Sequence, residues 1–126
     1  MIAITSPHSV GETVDRLIAA LEQRSITVFA RIDHGGAARE VGLQLADEEL
    51  VIFGDPRAGT PLMETDPAVG LELPLKVLVW DAAGVTTIGY RPPTELADLY
   101  PIANRAEVLE RMQALLQTLV AEATAS

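Results

Sequence analysis

The order of apolar patterns along the chain predicts an α+β fold, a two-layer sandwich in which a mainly antiparallel sheet is packed by helices. Three observations carry this. Amphipathic stripes sit near both ends of the chain: Val10, Val14, Leu17, Ile18 and Leu21 in the first, Val108 through Val120 in the second. Between them lie short runs rich in β-branched residues rather than a regular strand–helix alternation. One of these, LPLKVLVWDAAGVTTIGY, reads as a hairpin. Hairpin-linked strands with helices at the two ends favour two layers over a parallel, doubly wound sheet.

Residues 2 to 5 (IAIT) form the first expected strand. Ser9 and Glu12 then stand at capping-box spacing, and the first stripe places a helix ending near Arg24. Ile26 to Asp33 (ITVFARID) is the second strand, with Ile26, Val28, Ala30 and Ile32 expected on one face. After it, the glycines following His34 predict a turn, and AAREVGLQL a short helix closed by Gly42. ELVIF is the third strand, and VIFGDPRAGTPLM runs from it into a loop. Leu75–Trp80 and Val85–Tyr90 make the hairpin, around a turn that contains Gly84. A short helix from Thr94 to about Leu99 follows. NRAE, Asn104 to Glu107, offers a cap for the final helix, whose stripe is read as core packing.

At 126 residues, with 48% hydrophobic and 21% charged residues, the chain fits one folded domain spanning 1–126. Cysteine is absent, which excludes disulfides, thiolate metal sites and cysteine nucleophiles. A formal charge of −9, with nine scattered Lys and Arg, argues against a nucleic-acid partner, because such binding rests on cations displacing counterions. No leader pattern opens the chain and the longest apolar runs fall short of the about 20 residues that span a bilayer, so no membrane association and a cytoplasmic location are expected.

Gly54 and Gly59 in VIFGDPRAGTPLM have the spacing of a phosphate-binding loop, but Thr60 stands where the lysine belongs and Pro61 follows. Gly54-Asp55-Pro56 and Gly59-Thr60-Pro61 read instead as turn chemistry, the second ahead of a short helix with Leu62 and Met63. His8 and His34 are the only histidines and lack metal-ligand spacing, so no metal site is expected. No G-x-S-x-G supports a serine nucleophile.

The series TVDRLIAALEQRSITVFARIDH, FGDPRAGTPLM, LELPLKVLVW and TTIGY, in that order, resembles family 302 of the domains of unknown function. The likeness covers roughly residues 5 to 120. Its most specific pieces are Phe53–Pro56, Gly59–Met63, Leu73–Leu75 and Tyr90. The family often has Asn where Asp55 stands and Gly where Ser25 ends the first helix. The resemblance implies a compact α+β fold with a strand–helix–four-strand–helix order, similar to TATA-binding-protein-like domains, and a homodimer. It supplies no activity and no cofactor.

It also directs attention to Asp33, His34, Gly54, Asp55, Pro56, Met63 and Tyr90 as ligand-binding residues that strand ends and loops would bring to one sheet edge. The functional expectation is a small-molecule binding or sensing domain acting as a homodimer. Two rivals are a dimerisation module without ligand and a small enzyme using His34 as acid or base with Asp55 or Tyr90 nearby.

Overall fold

The computed structural model describes residues 1–126. Five strands, β1 (Ile2–Thr5), β2 (Thr27–Asp33), β3 (Glu48–Gly54), β4 (Leu75–Ala82) and β5 (Val85–Tyr90), form one sheet. Their order is β1-β5-β4-β3-β2, and every neighbouring pair is antiparallel. Helix α1 (Val10–Gln23) links the two edge strands across the width of the sheet, and β2 to β5 return as a meander. The long helix α5 (Ala106–Thr124) lies beside α1. The fold is thus α+β.

Val51, Phe53, Val77, Val79, Ile88 and Tyr90 alternate along β3, β4 and β5 and are buried with Val14, Leu17 and Leu21 of α1 and Leu116, Leu119 and Val120 of α5. Each such side chain contributes about 1.5–3 kcal/mol on leaving water. Two arginines tie the helices together: Arg24 donates to the Glu122 carboxylate at 2.9 Å, and Arg16 donates to the carbonyls of Ala123 and Ala125 at 3.2 and 2.9 Å. The second contact serves the last turn of α5, whose carbonyls have no partner within the helix.

Ser9 caps α1, its hydroxyl accepting from the Glu12 amide at 3.1 Å. At the other end the Ser25 amide donates to Glu22 and the Ile26 amide to Leu21, both at 3.0 Å, with Ser25 at φ +55°. This is a Schellman closure with serine in the left-handed position. The helix therefore closes sharply without a glycine, at a backbone cost to Ser25.

Strand β2 departs from simple alternation. Val28 faces Phe53 and Ala30 faces Ile52, so Phe29 is an extra residue, a β-bulge. Beyond it the faces exchange. Arg31, not Ala30 or Ile32, shares the helix-covered face with Val28, and its guanidinium donates to Asp15 of α1 and Glu49 of β3, both at 2.7 Å. The common face expected for Ile26, Val28, Ala30 and Ile32 fails at this one residue.

The glycines after His34 form no turn. They lie in α2 (His34–Glu40), capped by Asp33, whose carboxylate accepts from the Gly36 amide at 2.8 Å. Gly35 is small because the returning chain crosses it: a Cβ there would sit 3.2 Å from the Ala46 carbonyl. Gly42, at φ +79°, closes α2 as expected, with bonds from Gly42 to Arg39 and from Leu43 to Ala38. The expected loop after β3 is also helical: α3 (Pro56–Thr65) runs straight through Pro61, so Gly59-Thr60-Pro61 is no turn. A 3-10 segment, Pro67–Glu72, leads to β4.

After β5, a 3-10 turn at Pro93–Glu95 and α4 (Leu96–Leu99) match the expected short helix. Asn104 caps nothing; a 3-10 turn, Ala103–Arg105, feeds α5 without a side-chain cap. Leu62, Val69, Leu96, Ile102, Val108, Leu109 and Met112 form a second buried cluster under this end of the sheet. The stripe on α5 is core, as expected, because its residues supply both clusters.

The β4–β5 turn has Ala83 at φ +52° and Gly84 at φ +92°, with Ala82 facing Val85. Two consecutive positive φ values are the two-residue hairpin turn that favours Asn-Gly. Ser25→Gly and Ala83→Asn are each expected to raise stability by about 0.5–1 kcal/mol, because each relieves a left-handed residue. Urea melts of the single variants check this, and an unchanged or lower midpoint for both would contradict it.

Candidate functional site

A cleft of about 600 Å³ opens where β3 passes into α3. It lies at the seam of the two buried clusters: Phe53 and Leu75 belong to the sheet side, Val108 and Met112 to the side beneath α3. Both phenylalanines of the chain, Phe29 and Phe53, line it, as do Met63 and Met112. Phe29 is 56% exposed, and its bulge carries the ring to the cleft rather than into the sheet alternation.

Gly54 of VIFGDPRAGTPLM has a steric reason, and Gly59 packs closely. A Cβ on Gly54 would meet Pro74 at 3.3 Å and the Phe29 ring at 3.6 Å. One on Gly59 would meet Leu73 at 3.4 Å, and one on Gly70 would meet the Met63 sulfur at 3.3 Å. The segment therefore packs apolar side chains against bare backbone.

A phosphate cradle is excluded by hydrogen-bond accounting at the start of α3. Pro56 has no amide hydrogen, the Arg57 amide donates to the Asp55 carboxylate at 3.0 Å, and the amides of Ala58 and Gly59 donate to the Asp55 carbonyl. No first-turn donor is left for a ligand. The Arg57 guanidinium also closes on the Asp55 carboxylate, at 3.1 and 3.0 Å. The Arg57 side-chain bonds, then its amide, hold the Asp55 carboxyl below the ordinary carboxylate range.

Of the residues singled out in the sequence, Gly54, Asp55, Pro56 and Met63 line this cleft. Asp33 and His34 do not. Thr27 faces Gly54 while Asp33 faces Glu49, which puts Asp33 six residues further along β2, about 20 Å at strand rise. Asp33 is the cap of α2, and His34 is exposed on that helix. Tyr90 sits in the core on β5, with β4 and β3 between it and β2, so three strand spacings of about 4.8 Å separate them. Burial pushes its phenol above the ordinary tyrosine range. The convergence expected at one sheet edge does not occur, and His34 has neither Asp55 nor Tyr90 within reach for acid–base work.

Sequence reasoning missed Phe29, Leu73, Arg111 and Leu115, all of which line the cleft. Leu115 did carry a signal, since it belongs to the α5 stripe yet is only half-buried. Arg111 carried none. No three His, Asp or Glu side chains gather where a metal ion could be held.

The family model described as "Domain of unknown function DUF302" matches residues 2–119. The chain belongs to this family. A solved family protein from Bacillus stearothermophilus, described as an uncharacterized conserved protein DUF302, has a TM-score of 0.87 at 21% identity, covering 97% of this chain and 96% of that one. That likeness establishes the shared fold. Among curated proteins, the Fluoride-specific ion channel FluC 1 of Brucella suis is 38% identical over 109 residues, covering 86% of this chain and 43% of its own length. FluC 2 of Brucella melitensis is 38% identical over the same length and is covered to 40%. The chain thus spans less than half of these relatives, and no helix in it is long and apolar enough to cross a membrane.

Within the family's FGDP segment, Asp55 has two separable jobs, capping α3 and pairing with Arg57. Asparagine retains the cap and loses the pair. Asp55→Asn is therefore expected to lower the melting temperature at neutral pH only slightly, by loss of the exposed pair, and Asp55→Ala to lower it by several degrees. Because the folded carboxyl lies below its unfolded value, its contribution is complete above the unfolded pKa and is lost as pH falls through the folded one. Melts taken from neutral into acid pH should show a shallower acid decline for Asp55→Asn than for the parent; equal slopes would refute the assignment.

Proposed function

We propose that this chain is a small-molecule binding or sensing domain acting as a homodimer, and that the cleft beside α3 is its ligand site. The observation that carries this is the cleft itself. Its volume falls within the about 300–1,000 Å³ of small-molecule sites, and its walls are mainly apolar with few polar groups. Methionines and an exposed phenylalanine suit a surface that adapts to an occupant.

The Brucella relatives favour sensing over catalysis. They are named as channels, and this chain corresponds to less than half of each and contains no spanning helix. A binding module joined to a membrane protein is a familiar way to report an internal metabolite. A bare halide does not match the cleft, which is too large and too apolar for a small hydrated ion, so the ligand of this module is organic.

The homodimer rests on the other face of the sheet. Leu50, Ile52 and Leu78 alternate away from the helices, with Ile32 facing Leu50 across β2 and Trp80 further along β4. None of them joins either buried cluster. A two-fold axis through this face would bury the same patch of both copies.

The ligand site is tested by a thermal-shift screen of metabolite classes against the parent and Thr60→Trp. Thr60 is an exposed residue on the cleft wall where an indole would obstruct entry. The expected result is a rise of several degrees with at least one organic class in the parent and none in the variant; no rise with any class would sink the proposal. Light scattering tests the dimer. The parent is expected at twice the chain mass, and Leu78→Glu, which places a charge in the outer face, at one chain mass with its circular dichroism unchanged. A parent that is monomeric at micromolar concentration would overturn the dimer.

A further inference from the structure

We infer that the cleft takes an organic monoanion, a carboxylate on an apolar body, with Arg111 receiving the carboxylate. This inference rests on the ligand-site reading above and deepens it.

The chain is strongly acidic, 18 Asp and Glu against nine Lys and Arg, so its cations are expected to be claimed by carboxylates. Nearly all the arginines are. Arg24, Arg31, Arg39, Arg57, Arg91 and Arg105 each have a carboxylate within 4.0 Å. Arg16 is occupied by the carbonyls at the end of α5. Arg111 is the arginine left over: no carboxylate or carbonyl lies within bonding distance, although Glu107 and Glu110 share its helix. It stands on the wall of the apolar cleft.

The other charged residues on that wall cancel. Asp55 and Arg57 are bonded to each other at 3.0 Å, which leaves the cleft with the single positive charge of Arg111. The amides at the start of α3 are all engaged, so no second anion donor competes. A planar, forked guanidinium with free donors matches a carboxylate through two parallel hydrogen bonds. A dianion such as a phosphate monoester would find only this one positive charge, so the cleft favours a monoanion. Phe29, Met63 and Leu115 then supply contacts for the apolar body, over the buried Phe53 and Met112.

The test compares three probes of equal chain length, decanoate, decanol and decylammonium, by calorimetric titration of the parent, Arg111→Gln and Phe29→Ala. Both substituted residues are exposed, so the fold is retained. In the parent, decanoate should bind at least about tenfold tighter than decanol, the factor expected from a charge-assisted pair, and decylammonium weakest. Arg111→Gln should erase that preference and leave decanol binding unchanged, whereas Phe29→Ala should weaken decanoate and decanol by the same factor. Equal affinities of decanoate and decanol in the parent would overturn the head-group assignment while sustaining an apolar ligand site. No binding of any probe would overturn the assignment too, and if the metabolite screen were also blank the ligand site would fall with it.

Discussion

Everything in this molecule follows from covering one face of a five-stranded antiparallel sheet. Val51, Phe53, Val77, Val79 and Ile88 must leave water together, and two helices drawn from opposite ends of the chain do most of the covering. A helix is about 10 Å across, so two of them span roughly four strands at about 4.8 Å spacing. The end of the sheet near Gly54 and Leu75 is left to α3, the 3-10 segment after it and α4. Two clusters that meet imperfectly leave a seam, and the seam is the cleft.

The electrostatics fit the same arrangement. Carboxylates outnumber cations, and the arginines are placed where they join elements: α1 to α5 through Arg24, α1 to β3 through Arg31 and α3 to the segment before α5 through Arg105 and Thr65. Exposed pairs of this kind contribute little stability each. Their use here is positional, which makes a cation outside the scheme, on the wall of a cleft, informative.

Much of the fold was legible from local chemistry. The two stripes, the Ser9 cap, Gly42 and the hairpin are set by neighbours within a few residues, so a linear reading finds them. The bulge at Phe29 was illegible because it is a relation between β2 and β3, not a property of either. Helix α3 was misread because Gly59, Thr60 and Pro61 favour turns in isolation, whereas packing of Leu62 into the second cluster rewards the helix. The candidate site was legible in part for the same reason. Gly54, Asp55, Pro56 and Met63 are contiguous with the cleft in sequence; Arg111 reaches it from half a chain away. Asp33 and Tyr90 attracted attention as polar residues at strand ends, and their roles turned out to be a helix cap and a core side chain.

The single extra residue in β2 also acts as a reading frame. On one side of Phe29 the strand is set in phase with the core through Val28; on the other, Arg31 and Asp33 come into phase with the helices. Losing Phe29 would restore plain alternation, with Val28 and Arg31 still on the helix-covered face, and would take the ring from the cleft wall. The extra residue therefore serves the cleft and not the ladder, which would close without it.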